Sequence, residues 1–341
     1  MTKGNCEKAD CTVAATGKCL LSQPDPALCA HFIPDEELTN PLVQKNPPTQ
    51  TPVEREETKK LGRKFHSGNE LGTEDAAEVM RARYCHLIGV LGVTDAGKTC
   101  FLSSLYLTAS AGKLPDPYRF AGSLSLQAFE DRARGLREWK DGRLPDQLVD
   151  HTVLSDSRQP SLLHLAIRRS DAERRRFDLL LTDLPGEWTK NLIMRQTGAE
   201  AFKFLQRADG VILVVDGNRL LSDQRHDELE DMRYFSERLA TDVKVPKSTP
   251  FVVLVTKCDE FGGKMPPVAN DLREHIRGLG FGATAILCSA FSRNPEQVQS
   301  GTGVFAAIEA VLTATIRERY GDDGLLHGQP RVGRVFQEFR A

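Results

Sequence analysis

Between residue 73 and about residue 320, apolar runs of strand length alternate with segments whose apolar residues fall at helical spacing. The runs at 86–91, 211–216, 251–256 and 285–288 are continuous enough to be strands covered on both faces. Phe101, Leu102, Leu105 and Ala109 make one face of a helix beginning near Lys98. Leu229, Met232 and Leu239 mark a second helix, and Phe305, Ile308, Val311, Leu312 and Ile316 mark a last one over 303–319. A short helix starts at Thr73, where Glu74, Asp75 and Ala76 suit a first turn. At 162–168 the pattern alternates, Leu163, Leu165 and Ile167 against His164, Ala166 and Arg168, as in a half-buried strand. The run at 177–183 follows a charged link, 169–175, that is too short for a crossover helix. The two runs therefore form an antiparallel hairpin. Its arginine-rich link reads as a solvated tip, with a nucleic-acid contact as the alternative. The whole pattern predicts an α/β fold with a mixed, mostly parallel sheet and helices on both faces.

Outside that periodic region the chain changes character. Residues 1–32 hold four of the eight cysteines, Cys6, Cys11, Cys19 and Cys29. Residues 33–72 are polar and proline-spotted and read as a flexible linker. A long polar insertion occupies 113–150, helical around 125–140, and a tail runs over 321–341. Charged residues make up 27% and the net charge is −2, so nothing draws the chain to nucleic acid. No apolar run approaches the roughly 20 residues of a membrane span, and no apolar leader follows Met1, so the expected location is the cytoplasm.

Four motifs carry chemistry. Gly92-Val93-Thr94-Asp95-Ala96-Gly97-Lys98-Thr99 matches G-x-x-x-x-G-K-S/T, between a strand and a helix. Such a loop turns backbone N–H groups toward phosphate, with Lys98 reaching the β- and γ-phosphates and Thr99 ligating magnesium. Cys100 follows in the same helical turn. Asp183-Leu184-Pro185-Gly186 ends a strand, placing a carboxylate for magnesium and a glycine N–H for the γ-phosphate. Thr256-Lys257-Cys258-Asp259 matches N/T-K-x-D. The Asp259 carboxylate can accept from guanine N1–H and N2–H2, a donor pair adenine lacks, while the Lys257 stem covers the purine face. Ser289-Ala290 follows the next strand, where a backbone N–H can meet guanine O6.

In that order, each at a strand end, the motifs resemble those of Ras-like, translation-factor-related P-loop GTPases over about 85–318. The resemblance implies that fold, GTP or GDP with magnesium as ligands, and GTP hydrolysis, which the departure at Glu187 would slow. The stretch Phe65-His66-Ser67-Gly68-Asn69-Glu70-Leu71 and the cysteine-rich leader also resemble bacterial double-GTPase-type proteins. That resemblance implies a protein partner, such as a second GTPase or a neighbouring gene product in a conflict or signalling system.

The chain departs from the family pattern in places. Glu187 stands where a water-orienting Gln is common, and it either perturbs catalysis or points to solvent. Thr152 is the choice for the residue sensing γ-phosphate, with Ser155, Ser157 and Ser161 as rivals. Asp95 is either a ligand for a monovalent cation or a turn residue, and Arg195 either an internal arginine finger or a solvated helix residue. Cys6, Cys11, Cys19 and Cys29, with His31 nearby, offer four thiolates for a tetrahedral zinc site, although they lack the C-x-x-C pairs of zinc ribbons; an iron–sulfur cluster or free thiols are the alternatives. The competing functions are a P-loop ATPase or kinase, a GTP-dependent scaffold that does not hydrolyse, and a zinc-module nucleic-acid binder.

Overall fold

The computed structural model describes residues 4–6, 11–13, 25, 28–29, 31–34, 66–138, 160–171 and 175–320. The chain divides into two units, 1–64 and 65–341. In the first, β1 (Gly4–Cys6) pairs antiparallel with β2 (Phe32–Pro34), and Cys6 faces Phe32 in register.

The second unit is built on a seven-stranded sheet. Its strands are β3 (Cys85–Leu91), β4 (Tyr118–Gly122), β5 (Leu162–Arg169), β6 (Arg176–Thr182), β7 (Gly210–Asp216), β8 (Phe251–Thr256) and β9 (Ala283–Leu287), ordered β4-β5-β6-β3-β7-β8-β9. β6, β3, β7, β8 and β9 run parallel, and β5 is antiparallel to both β4 and β6. The expected mixed, mostly parallel α/β sheet is therefore present. Every residue of β3, β7 and β8 is buried, as continuous apolar runs require. Burying one such leucine, Leu213 for example, contributes about 1.5–3 kcal/mol.

The helices are α1 (Thr73–Ala82), α2 (Lys98–Ser110), α3 (Leu126–Ala133), α4 (Gly186–Met194), α5 (Gly217–Leu221), α6 (Arg225–Thr241), α7 (Pro267–Gly278) and α8 (Val304–Tyr320). Parallel strands with helical crossovers bring their carboxyl ends to one edge of the sheet. Leu91, Thr182, Asp216, Thr256 and Leu287 end there, and that edge is where an open α/β sheet presents its ligand site.

Four expectations change, three of them on the sheet. The strand placed at 285–288 lies at Ala283–Leu287, so Cys288 is just past its end. The polar insertion carries a strand as well as helix: β4 extends the sheet beyond β5, and α3 buries Phe129 and Ala133, with Phe129 stacked on Tyr106 at 4.9 Å. The alternation in β5 does not mark a solvated face, because His164 is 1% exposed and Ala166 fully buried. The loop between β4 and α3 lies over His164. His164 Nδ1 accepts from Leu124 N–H at 3.0 Å, which puts the ring proton on Nε2, 3.0 Å from Asp178 Oδ1. Burial pushes the Asp178 carboxyl upward, but bonds from His164 and Arg176 outweigh it and hold the group well below the usual carboxylate range.

Residues 66–72, read above as linker, lie on this unit. Leu71 is 2% exposed and exchanges backbone hydrogen bonds with Leu162 in both directions. Among the described residues no helix is long and apolar enough to cross a membrane.

Candidate functional site

The loop from β3 into α2 makes the floor of the site. Gly97 precedes α2 with φ +96°, a left-handed conformation that glycine adopts without strain. Asp95 also has positive φ, 64°, which aspartate tolerates, and its side chain is exposed. The first turn of α2 carries no acidic residue and no side-chain cap, which leaves its amide end suited to an anion. Lys98 is 7% exposed, and its Nζ donates to Gly92 O at 2.9 Å and Val93 O at 2.8 Å. Burial pulls its pKa down from 10.5 to about 8, against the opposing pull of Asp183, Glu187 and Asp95.

Beyond Lys98 lies an acidic corner. Asp183, just past β6, is fully buried, with Oδ1 3.4 Å from Thr99 Oγ1. Its Oδ2 accepts from Arg132 Nε on α3 at 2.7 Å. Arg132 also donates to Ala128 O at 3.0 Å and to the carboxylate of Glu70. The Thr99 hydroxyl and the Asp183 carboxylate are hard oxygen donors meeting at the loop's end, a donor set that fits magnesium. Thr152 lies outside the described residues.

The start of α4 closes over the loop. A Cβ on Gly186 would stand 2.2 Å from Thr94 N and 2.5 Å from Thr94 Cα, so only glycine allows the approach. Thr189 Oγ1 donates to Gly92 O at 3.1 Å, and Thr94 Oγ1 lies 3.4 Å from Glu187 Oε1. Glu187 is exposed yet turned to the loop. Arg195 is exposed at the C-terminal end of α4.

The far side is built by β8 and the turn after β9. Thr256 Oγ1 lies 2.7 Å from Ala96 O and 3.1 Å from Val215 O, joining β8 to the loop and to β7. Lys257 takes φ 59°, and its Nζ donates to Asp216 Oδ2 at 2.6 Å. Asp259 is 2% exposed. Its Oδ1 accepts from Ser289 Oγ and its Oδ2 from Arg293 N, both at 2.8 Å. A carboxylate has about four acceptor positions, so capacity for two more donors remains. Ala290 is fixed by Ser104 Oγ donating to its carbonyl at 2.9 Å. Burial pushes the half-buried Cys100 thiol up to about 11, which disfavours the thiolate.

The structure thus gathers Gly92, Asp95, Ala96, Gly97, Lys98, Thr99, Cys100, Asp183, Gly186, Glu187, Thr256, Lys257, Asp259, Ser289 and Ala290 at one sheet edge. Sequence reasoning missed Glu70, Arg132, Thr189, Asp216 and Arg293. Asp216 had a signal, ending an apolar strand as Asp183 does; Arg132 had none. Of the four clustered cysteines, Cys11 and Cys29 are half-buried, Cys6 lies on β1 and Cys19 falls outside the described residues; among the described residues no three His, Cys, Asp or Glu side chains converge.

Comparison with known proteins adds the following. The solved structures resembling this chain include a variant of the protein SsGBP (15% identity, TM-score 0.36), with 72% of this chain and 61% of that one covered. The small GTPase Arl6 of Trypanosoma brucei with a bound nucleotide analogue matches at 14% identity and TM-score 0.38, over 68% of this chain and 98% of that one. A GTP-binding protein of Sulfolobus solfataricus in complex with GDP matches at 15% identity and TM-score 0.34, over 72% of this chain and 57% of that one. No curated protein matches. The model of the family described as Double-GTPase 2 matches residues 86–312, from β3 into α8 and across all four motifs. The chain belongs to the Double-GTPase 2 family.

Proposed function

We propose that this protein is a GTP-binding switch that hydrolyses GTP to GDP slowly and signals to a protein partner. The partner class is a second GTPase or a neighbouring gene product in a bacterial conflict or signalling system. The observation that carries the reading is Asp259, a buried carboxylate clamped by Ser289 and Arg293, in the turn after β8, the strand whose last residue, Thr256, is tied to the phosphate loop. Ser289 and Arg293 fill two of its acceptor positions, and adenine has no N1–H and N2–H2 pair to fill the other two in this buried site, so adenine is disfavoured.

In this reading Lys98 leaves the carbonyls of Gly92 and Val93 for the β- and γ-phosphates, whose charge replaces its lost hydration. The N–H groups of the loop and of the first turn of α2 hold the other phosphate oxygens. Thr99 and Asp183 would hold magnesium, which when bound supplies charge for the β,γ-bridge. Gly186, against Thr94, lies where γ-phosphate is felt, so α4 is the element that reorders. Its end carries Met194, 79% exposed, an apolar side chain available to a partner. Slow turnover follows from Glu187, which when ionised can accept from an attacking water but cannot donate to it.

The test is binding of GTP, GDP, ATP and XTP to wild type and Asp259→Asn with magnesium. Wild type should prefer GTP and GDP over ATP by at least a hundredfold. Asp259→Asn, which offers one donor and one acceptor, should shift preference toward XTP. Equal binding of ATP and GTP by wild type would falsify the assignment. Glu187 also supports a second reading, a scaffold that binds GTP without turning it over. Phosphate release under multiple turnover separates the two.

A further inference from the structure

The magnesium corner already contains a cation supplied by the chain. Arg132 reaches it from α3, within the insertion, and bonds the same carboxylate that faces Thr99. A fully buried carboxylate such as Asp183 needs a positive partner, since an unpaired charge there is strongly unfavourable. The guanidinium meets that need in the structure. A metal ion at Thr99 and Asp183 would meet it equally, and the two positive charges would repel across a few ångströms.

We propose that Arg132 is a built-in counter-cation of Asp183, anchored by Glu70, and that it must yield the carboxylate before magnesium binds with nucleotide. The proposal rests on the nucleotide reading above. Arg132 is a positioning residue here and touches no reacting atom.

The anchoring is what makes this more than a chance ion pair. Glu70 and Arg132 side chains are 23% and 13% exposed, so both ends of the pair are shielded. Glu70 precedes Leu71, which is locked to Leu162 at the start of β5. Ala128 N–H donates to Gly68 O at 3.0 Å, so the same short segment holds the first turn of α3. The stretch from Ser67 to Leu71, singled out in the sequence without an assigned role, therefore frames the arginine. When Asp183 is taken by an ion, Glu70 still holds the guanidinium at the corner. Occupancy by nucleotide is in this way coupled to the insertion and to the segment before the phosphate loop.

The experiment measures binding of a fluorescent, non-hydrolysable GTP analogue to the full chain over a range of buffered free MgCl2, for wild type, Arg132→Ala, Arg132→Lys and Glu70→Gln. Arg132→Ala should lower the half-saturating magnesium concentration at least fivefold. Arg132→Lys, which keeps the charge, should stay closer to wild type than Arg132→Ala does. Glu70→Gln leaves the guanidinium with Asp183 as its sole anion and should raise the magnesium requirement. A general folding defect would move both neutralising variants in the same direction, and thermal unfolding identifies it. An unchanged or raised requirement in Arg132→Ala, or a shared direction with Glu70→Gln, overturns the proposal while leaving nucleotide binding intact. Absence of analogue binding by wild type at every magnesium level overturns the nucleotide reading and this proposal together.

Discussion

Lys98 makes a charge prediction with a sign and a size. Without nucleotide its ammonium is buried, and burial brings the pKa from 10.5 to about 8. At about 1.36 kcal/mol per tenfold change, the depression equals about 3 kcal/mol of differential free energy. The sign follows from linkage. Between pH 8 and 10.5 the unfolded chain keeps the Lys98 proton that the folded chain has released, so nucleotide-free stability rises with pH through that window. Other lysines and tyrosines titrate there too, so the quantity to measure is the difference between wild type and Lys98→Met, from urea unfolding at pH 7 to 10.5. That difference should shift by about 2–3 kcal/mol in favour of wild type as pH rises.

Nucleotide reverses the preference, because phosphate favours the charged lysine. Affinity for GDP should fall above pH 8, by up to about tenfold per pH unit, with one proton taken up on binding. Calorimetry in buffers of different ionisation enthalpy counts that proton. A wild-type-minus-variant difference that stays flat or falls with pH, together with binding at pH 9 that takes up no proton, would refute the reasoning.

Three further predictions come from packing. Gly186→Ala drives a methyl into the Thr94 backbone, which cannot retreat as a flexible side chain can; α4 should detach from the loop, costing about 2 kcal/mol or more and weakening GTP more than GDP. Equal losses for GDP and GTP would contradict that placement. Asp178→Ala leaves the His164 Nε2–H without its acceptor and should cost about 1–3 kcal/mol at pH 7. Because the Asp178 pKa is depressed, its contribution is present above the unfolded carboxylate pKa and lost as pH falls through the folded one, so the gap between wild type and variant should narrow in strong acid. Thr256→Val keeps the shape but removes the hydroxyl shared by Ala96 O and Val215 O; a loss of about 1 kcal/mol and faster GDP release are expected in stopped-flow displacement.

The parts of the site legible in sequence are those where chemistry fixes residue type and spacing together. A phosphate loop must begin after a strand and end in a helix, so Gly92 to Thr99 announces both its role and its surroundings. Asp259 is legible for the same reason, as the end of an apolar run. Arg132 was not, because its role depends on how α3 docks, and an arginine on an amphipathic helix looks like any solvated one. The β5 alternation misled because periodicity reports which residues are polar. What covers them is set elsewhere, here by residues 123–125 lying over His164. The strand β4 stayed hidden in a polar insertion because an edge strand needs only one apolar face, and Tyr118 is its only buried residue.

The phosphate loop is held from three directions, and each tether belongs to a different function. Thr256 grips Ala96 from the strand that leads to the base pocket. Thr189 grips Gly92 from α4, the element expected to report γ-phosphate. Thr99 meets Asp183, and through it Arg132, Glu70 and the insertion. Lys98 sits among these tethers and bonds two carbonyls of the loop itself, one of which, Gly92 O, is the acceptor that Thr189 also uses. When Lys98 turns to a phosphate, Gly92 O keeps Thr189 as its donor, so the bond from α4 to the loop should strengthen as the lysine leaves. Phosphate binding then tightens α4 through an acceptor the two side chains share, and Thr189→Val should uncouple α4 from the nucleotide while sparing base recognition at Asp259. Hydrogen exchange of the α4 amides, with and without a non-hydrolysable GTP analogue, measures that directly. Protection on binding in wild type and none in Thr189→Val is the expected pair, and equal protection in both would place the coupling at Gly186 alone.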